Sequence, residues 1–212
     1  MRRSRSSVAL VSALALVVAF TVTGCRKKKP LPDAGTVTST TTSDVPVSEP
    51  STPSTTKTAS SALWVTFEPE PTKFTSLFPG TPKRSSTPTP SAAGLMTQLE
   101  AQVSHRDTFY ALGWMDFPVS AVIDNKKALD GARDGATKSA GGRIVSEKQV
   151  KLNGKHPGRE IVFDVVSPLR ARGYLHIYIV NRRFYQALVL QPDAKSSDKP
   201  NVDKFFEAFK VK

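Results

Sequence analysis

The chain has 212 residues, with 30 Lys or Arg against 18 Asp or Glu, a net charge of +12, and one cysteine, Cys25. A lone cysteine excludes an intramolecular disulfide and any metal site built from several thiolates. The 39% of hydrophobic residues is enough for a core.

Arg2, Arg3 and Arg5 precede an apolar run from Val8 to Phe20, 13 residues long, whereas a helix crossing a bilayer needs about 20. A basic start, a short apolar run and small residues before a cleavage point read as a secretory signal, in preference to a membrane anchor or a buried helix. Val22-Thr23-Gly24-Cys25 resembles a bacterial lipobox, in which the cysteine is acylated and becomes the mature N-terminus. The resemblance implies a signal peptide over residues 1–24 and lipidation of Cys25, palmitate included. The competing reading of Cys25 is a free thiol or an intermolecular disulfide. If Cys25 is acylated, no thiol is left for catalysis or metal binding.

Several acyl chains would make the attachment permanent, where one gives only marginal residence. Arg26, Lys27, Lys28 and Lys29 follow at once. Near anionic lipid each adds about 1 kcal/mol, or the four simply keep the junction solvated. In sorted lipoproteins, Asp after the cysteine resembles an inner-membrane retention signal. The residue here is Arg26, so the outer membrane is expected in a cell that has one.

Residues 26–61 hold 21 Ser, Thr or Pro among 36 and no aromatic residue. Such a segment cannot bury enough apolar surface to offset its chain entropy, so residues 25–61 are expected to be a lipidated cysteine followed by a disordered tether. As a flexible chain the tether would span roughly 33 Å on average and about 120 Å when fully stretched. Its Ser/Thr density also permits O-glycosylation.

Residues 62–212 have the size of one domain. Setting aside the three arginines of the signal leaves +9, and the tether's five basic and three acidic residues leave +7 on this domain. On an exported, anchored protein that charge suits anionic lipid, cell-wall polymer or an acidic protein face, with no nucleic acid as partner. A generally basic proteome accounts for it equally well.

In chain order, Leu63 to Phe67 reads as a short strand, Phe74 to Phe78 is a second apolar patch, and the Pro/Ser/Thr-rich stretch from Phe78 to Pro90 reads as a loop. Leu95 to Val103 and Thr108 to Phe117 alternate as two strands, joined by a hairpin at Ser104-His105-Arg106-Asp107. Asp124 caps a helix to about Ala140, with Leu129, Ala132, Ala136 and Ala140 on one face and Gly141-Gly142 ending it. Gly131 and Gly135 cost this helix about 1 kcal/mol each relative to Ala, so it needs a sheet beneath it.

Four strands follow: Arg143 to Leu152, Arg159 to Val166, Ala171 to Val180 and Arg183 to Leu190. Their turns are Asn153-Gly154-Lys155, Ser167-Pro168 and Asn181-Arg182. Val202, Phe205, Phe206 and Phe209 recur with helical spacing, which gives a terminal helix one strongly apolar face. The sum is an α+β fold, an antiparallel β-sheet with flanking helices.

Candidate chemistry is sparse. His105 and His156 sit in turn contexts where an exposed histidine is the default. In Ala171 to Val180 the alternation puts Arg172, Tyr174, His176 and Tyr178 on one face, opposite Leu175, Ile177 and Ile179. Such a row could line a ligand or partner surface, or could be a half-covered sheet face with its polar tips in water. Glu160 and Asp164 share a face of the preceding strand, where they can pair with Arg172 or His176 across the hairpin. Two carboxylates on a strand also invite a hydrolytic reading. The stretch from Asn153 to Arg159 is glycine-rich and basic, as an anion-binding nest or an ordinary hairpin turn would be. No P-loop, GxGxxG, GxSxG, HExxH or EF-hand pattern occurs. No catalytic residue, metal site or cofactor is therefore expected.

The order of motifs does resemble a family. Phe74 to Pro82 (FTSLFPGTP), Tyr110 with Asp116-Phe117-Pro118, GKHPGREI, RGYLHIYIVNRRFYQALVL and the closing FFEAFKV are together similar to the PsbP/Mog1/DcrB-like superfamily. The resemblance spans residues 62–212 and implies an α-β-α sandwich around an antiparallel sheet. Known members are mostly non-catalytic: an extrinsic photosystem subunit, a Ran-binding factor and envelope lipoproteins. It carries no site residues over. The expectation is a membrane-anchored, non-enzymatic envelope lipoprotein whose domain binds a protein partner or assists assembly. The alternative is a small ligand or cell-wall glycan on the Tyr174/His176/Tyr178 face.

Overall fold

The computed structural model describes residues 63–71, 73–91, 94–166, 170–192 and 199–212. Two sheets and two helices account for nearly all of them. The larger sheet is antiparallel throughout, with strands β3 (Lys83–Ser91), β4 (Gly94–His105), β5 (Thr108–Asp116), β9 (Arg183–Pro192), β8 (Ala171–Val180), β7 (His156–Val165) and β6 (Gly142–Leu152) in that spatial order. The smaller one is a ribbon of β1 (Trp64–Phe67), β2 (Phe74–Pro79) and β10 (Lys210–Val211). Helix α1 spans Asn125–Ser139 and α2 spans Lys199–Glu207.

Chain order explains the sheet order. β3, β4 and β5 form a meander, α1 then carries the chain to the far edge, and β6 to β9 meander back until β9 docks on β5. Local chemistry sets the corners: Arg106, Asn153 and Asn181 take positive φ in the tight turns, with Gly154 beside Asn153. Asp124 accepts from the Lys127 N–H at the start of α1, and Gly141, at φ +61°, ends it.

Both faces of the large sheet are covered. On one, Leu129, Ala132 and Ala136 of α1 pack on Ile161, Phe163, Leu175 and Ile177. On the other, the small ribbon and α2 bring Phe67, Phe74, Phe78, Val202, Phe205 and Phe209 against Tyr110, Trp114, Tyr185 and Val189. Rings meet edge-on there; Phe74 lies 5.1 Å from Trp114 and 5.4 Å from Tyr185. The layering is the α+β arrangement of an antiparallel sheet with flanking helices that the sequence led us to expect.

Two expectations need correction. The stretch from Phe78 to Pro90, read as a loop, contains β3, whose every residue from Lys83 to Ser91 is paired with β4. Two prolines argue against a central strand, but β3 is an edge strand, where a missing N–H can face outward at no loss to the ladder. Pro88 and Pro90 lie opposite Thr97 and Leu95. The terminal helix ends at Glu207, so Phe209 lies beyond it, yet stays buried because the chain turns directly into β10.

Candidate functional site

Alternation on β8 does put Arg172, Tyr174, His176 and Tyr178 on one face, and the protein's own α2 covers part of that face. The His176 ring stacks on Phe206 with centroids 3.8 Å apart, and Tyr178 stacks on Phe209 at 6.1 Å. Tyr178 Oη lies 3.3 Å from His176 Nδ1. Burial, against a smaller pull from Asp203, lowers the His176 pKa to about 4, so the imidazole is neutral at pH 7. Burial and the Glu160 charge push Tyr178 up to about 12.

The cross-hairpin pairing is present. Glu160 lies opposite His176 and Asp164 opposite Arg172. Arg172 Nε donates to Asp164 Oδ1 at 2.9 Å and Nη2 to Oδ2 at 3.3 Å. The contact is a cross-strand ion pair of the ordinary structural kind. His105 ends β4 with Nε2 buried and unpartnered, and His156 begins β7. The three histidines sit on different elements or ends of the sheet. Among the described residues no group of His, Cys, Asp and Glu could hold a metal ion. No described helix is long and apolar enough to cross a membrane. Cys25, the signal and the tether lie outside the described residues, as does the Ser167-Pro168 turn.

The Asn153–Arg159 stretch is the β6–β7 hairpin turn at Asn153–Lys155 and the first residues of β7, tied to β10 by Asn153 Nδ2 donating to the Val211 carbonyl at 3.4 Å. Its last residue, Arg159, takes part in an ion-pair ring that sequence reasoning missed. Arg159 donates to Glu147 Oε1 at 2.6 Å and to Asp130. Arg133 donates to Glu147 Oε2 at 2.8 Å and approaches Asp130 at 3.8 Å. Two guanidiniums and two carboxylates alternate, joining α1 to β6 and β7. Arg159 is only 7% exposed. Beside it a cleft of about 450 Å³ opens between the start of α1 and the β6–β7 pair, lined in part by Lys126, Leu129, Gln149 and Lys151. A second cleft, of about 260 Å³, lies at the β8–β9 turn with Lys73, Arg182 and Arg183 on its walls, and Arg183 there is bidentate to Asp116 at 2.6 Å.

The other feature missed from sequence is an uneven pair of sheet edges. β3 carries two prolines, and β6 carries none. From Arg143 to Gln149, β6 is exposed throughout, and a bulge at Val145 interrupts its register with β7. Ile144, Val145 (51% exposed) and, after β7, Val166 (68%) leave apolar side chains in water towards this end of the edge. A signal did exist: Ile144 and Val145 are adjacent apolar residues in an otherwise alternating strand, the mark of a bulge.

No family model and no curated protein matches the chain. Among solved structures, the chain is similar to the solution structure of cyanobacterial PsbP (CyanoP) from Synechocystis sp. PCC 6803, with a TM-score of 0.49 and 8% identity over 73% of this chain and 95% of that one. It is also similar to the crystal structure of a protein of unknown function, PA94 from Pseudomonas aeruginosa, described as a putative regulator, with a TM-score of 0.35 and 6% identity over 68% and 91% of the two chains.

Proposed function

We propose that the protein is a membrane-tethered, non-enzymatic envelope module whose folded domain engages another protein. The observation that carries this reading is the exposure of three apolar side chains, Ile144, Val145 and Val166, near an open sheet edge. Exposed apolar side chains beside unpaired strand backbone mark a place where another chain gains by binding. The Tyr174/His176/Tyr178 face supports a ligand less well, since Phe206 of α2 and Phe209 just beyond it already stack on it.

Two experiments test the two halves of this reading. A photo-crosslinking side chain placed at Val145 or Val166 in intact cells is expected to capture a protein, while one on β3 is not. If neither position yields an adduct, the partner-binding reading falls. For the tether, Cys25→Ser is expected to move the protein out of the membrane fraction. A variant that still sediments with membranes counts against lipidation of Cys25.

A further inference from the structure

We infer that β6 is a docking strand, and that its occupant is an extended, acidic segment of a partner protein, which adds to the large sheet beyond β6. This rests on the partner-binding reading and names the surface and chemistry behind it.

The backbone argument comes first. β6 is the last strand of its sheet and pairs only with β7, so along its outer side every second N–H and C=O has no strand partner. Past the bulge, Ser146 to Leu152 keeps unbroken register with β7. That stretch is held on both faces. Glu147 is fixed in the arginine ring on the α1 side, while Val150 and Leu152 pack on the core of the opposite side. A strand fixed on both faces and free along its edge is already ordered for addition of another strand. Little entropy is left to lose on the protein's side.

Charge selects the occupant. Arg143, Lys148 and Lys151 stand on β6, and none of them forms an ion pair among the described residues. The one carboxylate of β6, Glu147, is engaged by Arg133 and Arg159. The unpaired charge of β6 itself is therefore positive, with Asp164 (held by Arg172) and Glu160 of β7 opposite Arg143 and Lys148. A second copy of the chain would bring the same three basic side chains to the junction, and like charges close across strands repel. Arg143 and Lys148 share one face of the sheet and Lys151 points to the other, so alternating acidic side chains on a foreign strand would meet Arg143 and Lys148, while its apolar residues could extend over Ile144 and Val145. The open edge and its charge together fit an acidic strand better than self-association.

The test uses the full-length protein in detergent micelles and a short synthetic peptide alternating Glu with Val or Thr, beside the same peptide carrying Lys in place of Glu. The acidic peptide is expected to slow hydrogen exchange of backbone amides between Ser146 and Leu152 and to leave β3 unchanged. Arg143→Gln combined with Lys148→Gln is expected to weaken binding about tenfold, with a nearly unchanged melting temperature. Equal binding of the lysine peptide, or protection that falls elsewhere on the domain, overturns the inference. So does concentration-dependent protection of β6 without any peptide, which would make a second copy the occupant. Failure here is distinguishable from failure of the broader reading. Intact-cell crosslinks that capture a protein only through surfaces away from β6 sink the docking strand and leave partner binding standing.

Discussion

His176 lies nearly flat against Phe206, with ring centroids 3.8 Å apart and planes inclined by 20°. The contact joins β8 to α2, and it needs the imidazole neutral, because burial lowers the His176 pKa to about 4 from the 6.5 of an exposed histidine. The unfolded chain therefore binds this proton more readily than the folded one. The stability that comes from a neutral His176 is fully present above pH 6.5 and is lost as pH falls through 6.5 towards 4, by roughly 3 kcal/mol at most. His176→Phe is expected to flatten the profile across that window. Urea denaturation at pH 7 and pH 4.5 checks this; parallel losses in variant and wild type would acquit the imidazole.

Arg159→Ala should leave Asp130 and Glu147 under-compensated beside a buried site. A loss of about 1–3 kcal/mol is expected, since both carboxylates are partly exposed and keep Arg133 as a partner. Arg133, more exposed and with Asp134 as a further partner, should cost less when replaced. Equal losses at the two positions by chemical denaturation would contradict the ring as described.

Gly158 and Gly173 are fixed by close approach. A Cβ on Gly158 would lie 2.2 Å from Tyr178 Cδ1 and 2.6 Å from the Ile177 carbonyl oxygen, and one on Gly173 would lie 2.2 Å from Phe163 Cζ. Alanine at either position is expected to destabilise by about 1–3 kcal/mol. Gly158 should be the worse, because backbone is harder to move than a ring. Gly154 in the neighbouring turn meets nothing, but its φ of +74° still opposes a side chain. Thermal melts of the three alanine variants rank these effects.

Arg182 clamps the segment between β5 and α1. Its Nη2 donates to the carbonyls of Pro118 and Ala121, and its own carbonyl accepts from the Phe117 N–H at 2.8 Å. Arg182→Ala removes the side-chain half and should cost about 2–3 kcal/mol. The Ala121 amide, which donates to Pro118, is expected to exchange faster with solvent. Unchanged exchange there would show that the backbone half alone holds the segment.

Much of the fold was legible because its periodicities are strong. The Leu129, Ala132 and Ala136 stripe and the alternation through Tyr174, His176 and Tyr178 appear in the structure on the faces they imply. β3 was misread because proline carries information about hydrogen bonding, and whether a strand lies at an edge is decided by topology far along the chain. The arginine ring was out of reach for a related reason. Arg159 is separated from Asp130 by 29 residues and from Glu147 by 12, and only the crossover through α1 makes them neighbours. For the β8 row, alternation gave the shared face, but whether solvent or α2 covers it depends on the placement of Phe206 and Phe209.

The prolines of β3 have a consequence for self-association. Growth of the large sheet is open at β6 and obstructed at β3, where Pro88 and Pro90 present no N–H. A sheet with two free edges can polymerise without limit; one with a single free edge has a valence of one. A β6 edge of one copy cannot complete a ladder along the proline stretch of β3 in another, which hinders head-to-tail growth of the sheet between copies.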